Sequence, residues 1–497
     1  MINIAFENHS FVRIECDDSI FYEMREYFSF KADGYQFSPK FKYGGWSGDI
    51  FLLGYDRLLP YGLVEQATKF AEQNDYTVRI DPQINKGEDI SREEFDAWLA
   101  KKEIYSGGNK ITPHWYQADS VYHGIKNRRA ILNLPTSAGK SLIQTLIALW
   151  YLENYSGKVL VVVPTTALVT QMIDDMVDYG LFPREALLGI KSGTARDSDA
   201  LIYVSTWQSA VKQKREWFNK FGMVMNDECH LATGASIKKI IEWVDHVPFK
   251  FGLSGSLRDG KANILQYVGM FGSIFRPVTT KQLMDEGQIT DLQIKAVQLQ
   301  YTDEERKAVC KKDVTYDQEI KFILGHKRRN AKVCQLAMKL AQKSENVFLM
   351  FRFKAHGELM LEQLKKIYDQ SKIHYINGDT DDEIREQVKA IAEGETGHIF
   401  VASYGVFSTG ISIKNLHHII FAHPVKSKVT VLQTIGRVLR KHKSKSIATV
   451  WDIIDDLGRI NAHGKYTKQN YALQHALERI DRYVSERFNY TLNMIKL

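Results

Sequence analysis

The sequence predicts an α/β protein: two parallel-sheet domains in tandem, a small α/β module before them and a helical extension after them. Three features point there. From Thr112 onward short, uninterrupted apolar runs alternate with amphipathic segments, the pattern of strands buried on both faces and joined by crossover helices. That pattern occurs in two successive series. A length of 497 residues, at about 150 per domain, makes roughly three cores. A composition of 44% hydrophobic and 25% charged residues sets aside disordered, collagen-like and membrane-embedded classes. The net charge of +7 permits a polyanionic partner without announcing one. Cys16, Cys229, Cys310 and Cys334 stand far apart, outside metal-ligand spacing, as core thiols of a reducing compartment would. Met1–Ser10 has no basic-then-apolar leader and no apolar run is long enough to cross a bilayer, so a cytoplasmic protein without a membrane partner is expected.

Taken in order, residues 1–84 form the small module. Strand-like runs at Phe11–Ile14, Asp49–Leu53 and Thr77–Ile80 accompany a helix over about Tyr61–Gln73, where Leu63, Val64, Ala67, Phe70 and Ala71 recur at helical spacing. Residues 85–111 form a linker, in which Ser91-Arg92-Glu93-Glu94 has capping-box spacing and Ser106-Gly107-Gly108-Asn109 reads as a flexible joint. Residues 112–280 carry the first series of buried strands: Ala130–Leu132, Val159–Val163, Ala200–Val204, Gly222–Met225 and Phe249–Leu253. Thr280–Thr290 connects it to the second series in 281–455: Ile294–Leu299, Val347–Phe351, Lys372–Ile376, His398–Ala402, His418–Phe421 and Ala448–Trp451. Residues 456–497 read as helical, with Ala472, Leu473, Ala476, Leu477 and Ile480 on one face.

Chemistry concentrates in three segments. Leu134-Pro135-Thr136-Ser137-Ala138-Gly139-Lys140-Ser141 lies between the first buried strand and an apolar helix, the context that cradling a phosphate requires. Pro135, Thr136, Ser137, Ala138 and Gly139 supply the loop, Lys140 reaches the β- and γ-phosphates, and the Ser141 hydroxyl ligates Mg²⁺. Leu134 stands where the usual pattern has its first glycine. Val224-Met225-Asn226-Asp227-Glu228-Cys229-His230 places two adjacent carboxylates at the C-terminal end of a buried strand. Asp227 can hold Mg²⁺ there, and Glu228 can position and activate a water. In Gln433-Thr434-Ile435-Gly436-Arg437-Val438-Leu439-Arg440, expected at a helix start, Arg437 and Arg440 share a face and can stabilise charge on a transferring γ-phosphoryl. ATP and Mg²⁺ are the cofactors implied.

Together these segments resemble the motif set of superfamily-two helicases and translocases of the DExH type, whose fold is a pair of RecA-like domains. The resemblance spans about residues 112–455. It implies that Gln117, in Pro113-His114-Trp115-Tyr116-Gln117, reads adenine, and that Gly410 and Gln433 join the nucleotide site. It implies nucleic-acid contacts from Thr165, Thr166, Thr206 and Gln208 in the first domain and from Arg352, Lys354 and Ser403 in the second. It also implies that His230 and Ser254-Gly255-Ser256 couple hydrolysis to movement. The chain departs from the family pattern at His114 (commonly Arg), at Ser254-Gly255-Ser256 (Ser/Thr-Ala-Thr) and at Ser412 (Asp), none of which touches Lys140, Asp227, Glu228, Arg437 or Arg440, so an active ATPase is expected. The Pro-Thr-Ser-Ala-Gly-Lys-Ser and Asp-Glu-Cys-His wording, the length and the aromatic-rich first module are similar to a bacteriophage branch of the superfamily. That resemblance implies ATP-driven remodelling of branched DNA: branch migration of Holliday junctions, fork regression, and unwinding of R-loops and D-loops in recombination, repair and replication. The partners it implies are branched and single-stranded DNA, RNA–DNA hybrids, and single-strand-binding or recombination proteins, in the host cytoplasm.

Alternatives stay open at this point: a nucleotide-gated DNA-binding or strand-annealing protein with a weak motor, or an RNA helicase, since phosphate contacts read strand shape more than sequence. Lys31–Trp46 interleaves Tyr35, Phe37, Phe41, Tyr43 and Trp46 with Lys31, Lys40 and Lys42. It fits a base-stacking ribbon and the packed core of a small module equally well. Lys441, Lys443 and Lys445 read first as a solvated face and second as a phosphate track.

Overall fold

The computed structural model describes the chain except residues 33, 85, 194–197, 232–234, 256, 258–260, 410–412, 462 and 464; at 235, 261–263, 382, 407–409, 428 and 429 it describes the backbone alone. The chain divides into two units, residues 1–134 with 138–277, and residues 135–137 with 278–497.

The first unit opens with β1 (Ile2–Phe6), β2 (Phe11–Glu15), α1 (Asp18–Tyr27), β3 (Ser29–Lys31), the one-turn α2 (Pro39–Lys42), β4 (Asp49–Phe51), β5 (Leu58–Pro60), α3 (Val64–Gln73) and β6 (Val78–Ile80). A four-stranded sheet runs in the order β5-β2-β1-β6, and β3 pairs with β4 alone. Alternation builds this sheet: Ile2, Ile4, Val12 and Ile14 are buried at every second position, in one core with Phe21, Met24, Ala67 and Phe70 of the helices. Lys31–Trp46 is not a ribbon. Between β3 and β4 the chain makes a 3₁₀ turn at Tyr35–Phe37 and then α2, leaving Phe37 79% and Tyr43 89% exposed. Those two aromatics therefore belong to no core.

Helix α4 (Arg92–Ala100) begins at the capping box read from the sequence, Ser91 Oγ accepting from Glu94 N–H and the Glu94 carboxylate accepting from Ser91 N–H. The expected flexible joint is instead the turn of a hairpin, β7 (Ile104–Ser106) and β8 (Asn109–Ile111). Gly107 and Gly108 both take positive φ, 57° and 76°, which a two-residue turn between right-twisted strands demands.

Beyond the hairpin come α5 (Trp115–Asn127), β9 (Arg129–Asn133), α6 (Lys140–Asn154), β10 (Lys158–Val163), α7 (Thr166–Asp178), β11 (Leu187–Ile190), β12 (Ile202–Thr206), β13 (Phe221–Asn226), β14 (Phe249–Ser254) and β15 (Ile274–Phe275). The strands form one parallel sheet, β11-β12-β10-β13-β14-β9-β15. The apolar runs occupy its centre because both faces are covered, and every residue of β14 is buried.

The second unit repeats the plan. Its strands β16 (Asp291–Gln300), β17 (Val347–Phe351), β18 (Ile373–Ile376), β19 (Ile399–Ser403), β20 (His418–Phe421) and β21 (Ile447–Asp456) precede a small hairpin, β22 (Arg459–Ile460) with β23 (Tyr466–Lys468), and a last strand, β24 (Asn489–Lys496). The large sheet is again parallel, in the order β18-β19-β17-β20-β21-β16-β24. Numbered within its own sheet, each large sheet has the order 3-4-2-5-6-1-7. The fold is thus a tandem of RecA-like sheets with a mixed α/β module in front. Past residue 456 the expected helix is present at Tyr471–Ser485, and it leads into β24, which the sequence pattern did not disclose because the strand is exposed along its whole length. No helix among the described residues is long and apolar enough to cross a membrane, and all four cysteines are unpaired.

Two buried bidentate ion pairs tie helices to β21: Arg329 to Asp455 (2.7 and 3.0 Å) and Arg479 to Asp452 (2.9 and 2.7 Å). Removing the Asp455 carboxylate strands a fully buried guanidinium. Asp455→Ala is expected to destabilise the second unit by about 3–5 kcal/mol, read as an earlier urea-unfolding midpoint. A midpoint within error of the parent's would contradict it.

Candidate nucleotide and nucleic-acid site

Where β9 ends, Leu134 turns inward. Its side chain is fully buried and its N–H donates to the Ser254 carbonyl at 3.1 Å, so an apolar anchor replaces the usual glycine. Gly139 caps α6 with φ 75°, the conformation that favours glycine, and a Cβ there would lie 2.3 Å from Gln117 Nε2 and displace that carboxamide. Gln117 is buried at the start of α5. Its Nε2 donates to the Ala138 carbonyl (2.9 Å) and its Oε1 accepts from His114 N–H (2.9 Å). The carboxamide assigned to adenine by resemblance thus braces the loop in this structure. Lys140 and Ser141 open α6, at a helix N-terminus suited to an anion. Ser137, with φ 73°, adds a strained non-glycine position to the same loop.

The carboxylates follow β13. Asp227 N–H donates to the Val162 carbonyl (2.9 Å), which fixes the turn. Asp227 Oδ1 is buried and has no hydrogen-bond partner among the described residues. Burial, and then the adjacent Glu228 charge, push the Asp227 carboxyl well above the usual range, while Lys140 pulls it back. An orphaned hard oxygen in this state, with the Ser141 hydroxyl, suits Mg²⁺. Glu228 takes φ 51°, a costly conformation for a non-glycine residue and one that recurs at functional sites. Its Oε2 lies 3.2 Å from His230 Nδ1, which is 2.9 Å from Ser254 Oγ. A buried line Glu228–His230–Ser254 therefore joins the acidic turn to the end of β14.

Two supporting residues escaped the sequence: Tyr179 OH lies 2.8 Å from Ser141 Oγ, and Tyr267 OH donates to the His230 carbonyl at 2.7 Å. Burial, then Asp175, push the Tyr179 phenol up to about 12, so it keeps its proton. Both come from distant helix segments, with no local motif to mark them.

Of the residues assigned to nucleic acid, Thr165 caps α7, its Oγ1 accepting from Leu168 N–H (3.3 Å), and Thr166 and Gln208 are exposed. Thr206 is buried, its hydroxyl shared between Ser209 N–H and Ser209 Oγ. In the second unit Arg352 and Lys354 are exposed, Lys354 pairing with Asp379 (2.8 Å), and Ser403 is half-buried at the end of β19. The arginine segment does not start a helix. Arg437 sits in the last turn of Lys428–Val438 and Arg440 lies past its end, so the two do not share a helix face; Gln433 lies on that helix. Lys445 is not solvated either: its ammonium donates to the Leu416 and Val438 carbonyls (2.8 and 2.6 Å), and burial lowers it to about 7. Gly255 is half-buried just past β14. Ser256, Gly410 and Ser412 lie outside the described residues.

Family models match three stretches: "DNA helicase UvsW, N-terminal" at 1–81, "Type III restriction enzyme, res subunit" at 95–259 and "Helicase conserved C-terminal domain" at 328–442. The chain is 56% identical over 504 residues to the ATP-dependent DNA helicase uvsW of Enterobacteria phage T4, covering 100% of both. It is 26% identical over 377 residues to the DNA 3′-5′ translocase XPB2 of Sulfurisphaera tokodaii, covering 68% of this chain and 81% of that one. The crystal structure of T4 UvsW matches with TM-score 0.54 at 55% identity over 100% and 99% of the two chains. S. cerevisiae Dbp5 bound to RNA and ADP BeF3, 13% identical with TM-score 0.53 over 78% and 90%, shares the fold. With more than half its residues identical across the full length of the phage T4 protein, and with helicase models on both large sheets, this chain belongs to the UvsW family of superfamily-two helicases.

Proposed function

We propose that this chain is an ATP-driven DNA motor that remodels branched DNA, migrating Holliday junctions, regressing forks and unwinding R-loops and D-loops in the host cytoplasm. The observation that carries its ATP chemistry is the pairing of the Lys140–Ser141 helix start with a buried, unpartnered Asp227 oxygen. Lys140 holds the β- and γ-phosphates, and Ser141 and Asp227 hold Mg²⁺, which when bound neutralises charge on the phosphoryl group. Glu228 orients the attacking water and accepts its proton, while Arg437 and Arg440 supply charge to the transferring group. Gln117, Gln433 and Gly410 complete nucleotide recognition. Thr165, Thr166, Thr206, Gln208, Arg352, Lys354 and Ser403 follow the DNA backbone, Thr206 through its backbone because its hydroxyl is engaged. Phe37 and Tyr43, fully presented to solvent, offer stacking faces to unpaired bases. Single-strand-binding and recombination proteins are the partners such a motor would meet.

Strand separation on matched substrates tests this. A Holliday junction and an R-loop should be resolved faster than a plain duplex with the same ends; equal rates would defeat the branched-DNA assignment. The line from Glu228 through His230 to Ser254 makes a second expectation. His230→Ala should keep DNA-stimulated ATP hydrolysis within about tenfold yet lose unwinding per ATP consumed. Parallel loss of both would show His230 acting in hydrolysis alone.

A further inference from the structure

The first unit holds a cavity of about 500 Å³ that the motor chemistry does not use. Its wall includes Phe6, His9 and Tyr61 from the module, Lys86 from the segment after β6, and Arg128 and Arg129 at the start of β9. Pro248 and Ser273, which precede β14 and β15, also line it, so it lies at the N-terminal ends of the parallel strands. The P-loop and the acidic turn follow the opposite ends.

Lys86, Arg128 and Arg129 line it against one carboxylate, Glu65. Arg129 is buried and donates to the carbonyls of Met270 (3.4 Å) and His9 (2.5 Å), with its guanidinium 4.3 Å from the Tyr61 ring centre. Lys250, fully buried behind it on β14, reaches the same His9 carbonyl (3.0 Å), Ser10 Oγ (2.6 Å) and the Ile241 carbonyl (3.5 Å). Every one of these acceptors is neutral. The carboxylates nearby are engaged: Glu65 by Lys69 (2.6 Å), Glu88 by Arg128, and Asp245 by Arg215 (2.9 Å). Burial lowers Arg129 to about 10, and burial with the neighbouring Arg129 charge lowers Lys250 well below its ordinary range, the Asp245 carboxylate offsetting the latter only in part. Burying cations without a counter-charge is costly, and an anion in the cavity recovers that cost. Lys86 stands exposed at the rim. Phe6, His9 and Tyr61 form an aromatic cluster, with ring centres 5.3 to 6.3 Å apart, beside these cations.

We propose that this cavity binds the phosphate group of a nucleotide, with Arg129 and Lys86 as the phosphate contacts and the Phe6–His9–Tyr61 cluster as the apolar face for its base. The phosphate can belong to a free nucleotide or to the 5′ end of a DNA strand. It is a second anion site, separate from the P-loop.

Equilibrium dialysis of radiolabelled pyrophosphate tests this, using the full chain carrying Lys140→Ala so that the P-loop does not compete. Saturable binding is expected, weakened at least roughly tenfold by added Lys86→Ala, the worth of one charge-assisted hydrogen bond. Arg129→Met should weaken it as much. Lys86 is exposed and has no ion pair among the described residues, so its variant keeps the test decisive if Arg129→Met fails to fold. Competition by AMP assigns the site to a free nucleotide. Competition by a 5′-phosphorylated oligonucleotide, and not by its 5′-hydroxyl twin, assigns it to a strand end. Absent binding, or binding indifferent to Lys86→Ala, overturns the proposal.

Discussion

Glu228→Gln is expected to slow ATP hydrolysis roughly 10²–10⁴-fold, the range for loss of a positioned general base, while ATP and DNA binding persist. The substitution keeps the shape of the side chain and places another non-glycine residue at φ 51°, so the turn after β13 should survive it. What changes is the capacity to take a proton from water. Glu228 also lies 3.2 Å from His230, and an amide there keeps a polar contact where a shorter residue would open a gap. Single-turnover hydrolysis, measured beside filter binding of DNA and fluorescence binding of nucleotide, separates the effects. Hydrolysis within tenfold of the parent would remove Glu228 from the chemistry.

Lys140→Ala should act differently. It deletes the ammonium at the start of α6, and with it both the contact proposed for the β- and γ-phosphates and the charge that draws the Asp227 carboxyl downward. Nucleotide affinity and turnover should both fall, turnover by roughly 10²–10³-fold, the scale for losing one electrostatic donor at a reacting oxygen. DNA binding should be retained, because none of the residues assigned to the strand depends on Lys140. A variant that binds nucleotide as the parent does would place the phosphate cradle elsewhere.

The motor was legible where burial dictates composition. Apolar runs such as Val159–Val163 and Phe249–Leu253 can only be strands covered on both faces, and they fall inside β10 and β14. The loop before α6 and the acidic pair after β13 stand out in the sequence because the phosphate and metal chemistry proposed for them tolerates few residue types at fixed spacing. What escaped the sequence depends on long-range pairing or on exposure. β11 and β15 are short, and β24 buries none of its residues, so no period marked it. Gly107-Gly108 suits a joint and a hairpin turn alike, and only the register of β7 with β8 decides between them. Tyr179 reaches Ser141 across 38 positions of sequence. The helix-end position of Arg437 and the burial of Lys445 depend on where a helix stops, which propensity fixes least well.

The strand β24 has a consequence in time. It lies parallel to β16, with Gln293 beside Asn489 and Gln300 beside Lys496, so the second sheet is completed by residues almost two hundred positions downstream of the strand they join. During synthesis the first sheet has all its strands once residue 275 has emerged. The second stays open at β16 until the stretch to residue 496 appears, a wait of roughly ten to forty seconds at about 5–20 residues per second. For that interval β16 is an exposed ten-residue edge, the kind of surface that recruits another nascent chain. A ribosome pausing late in this message would therefore expose an aggregation hazard in a chain whose first sheet is already complete.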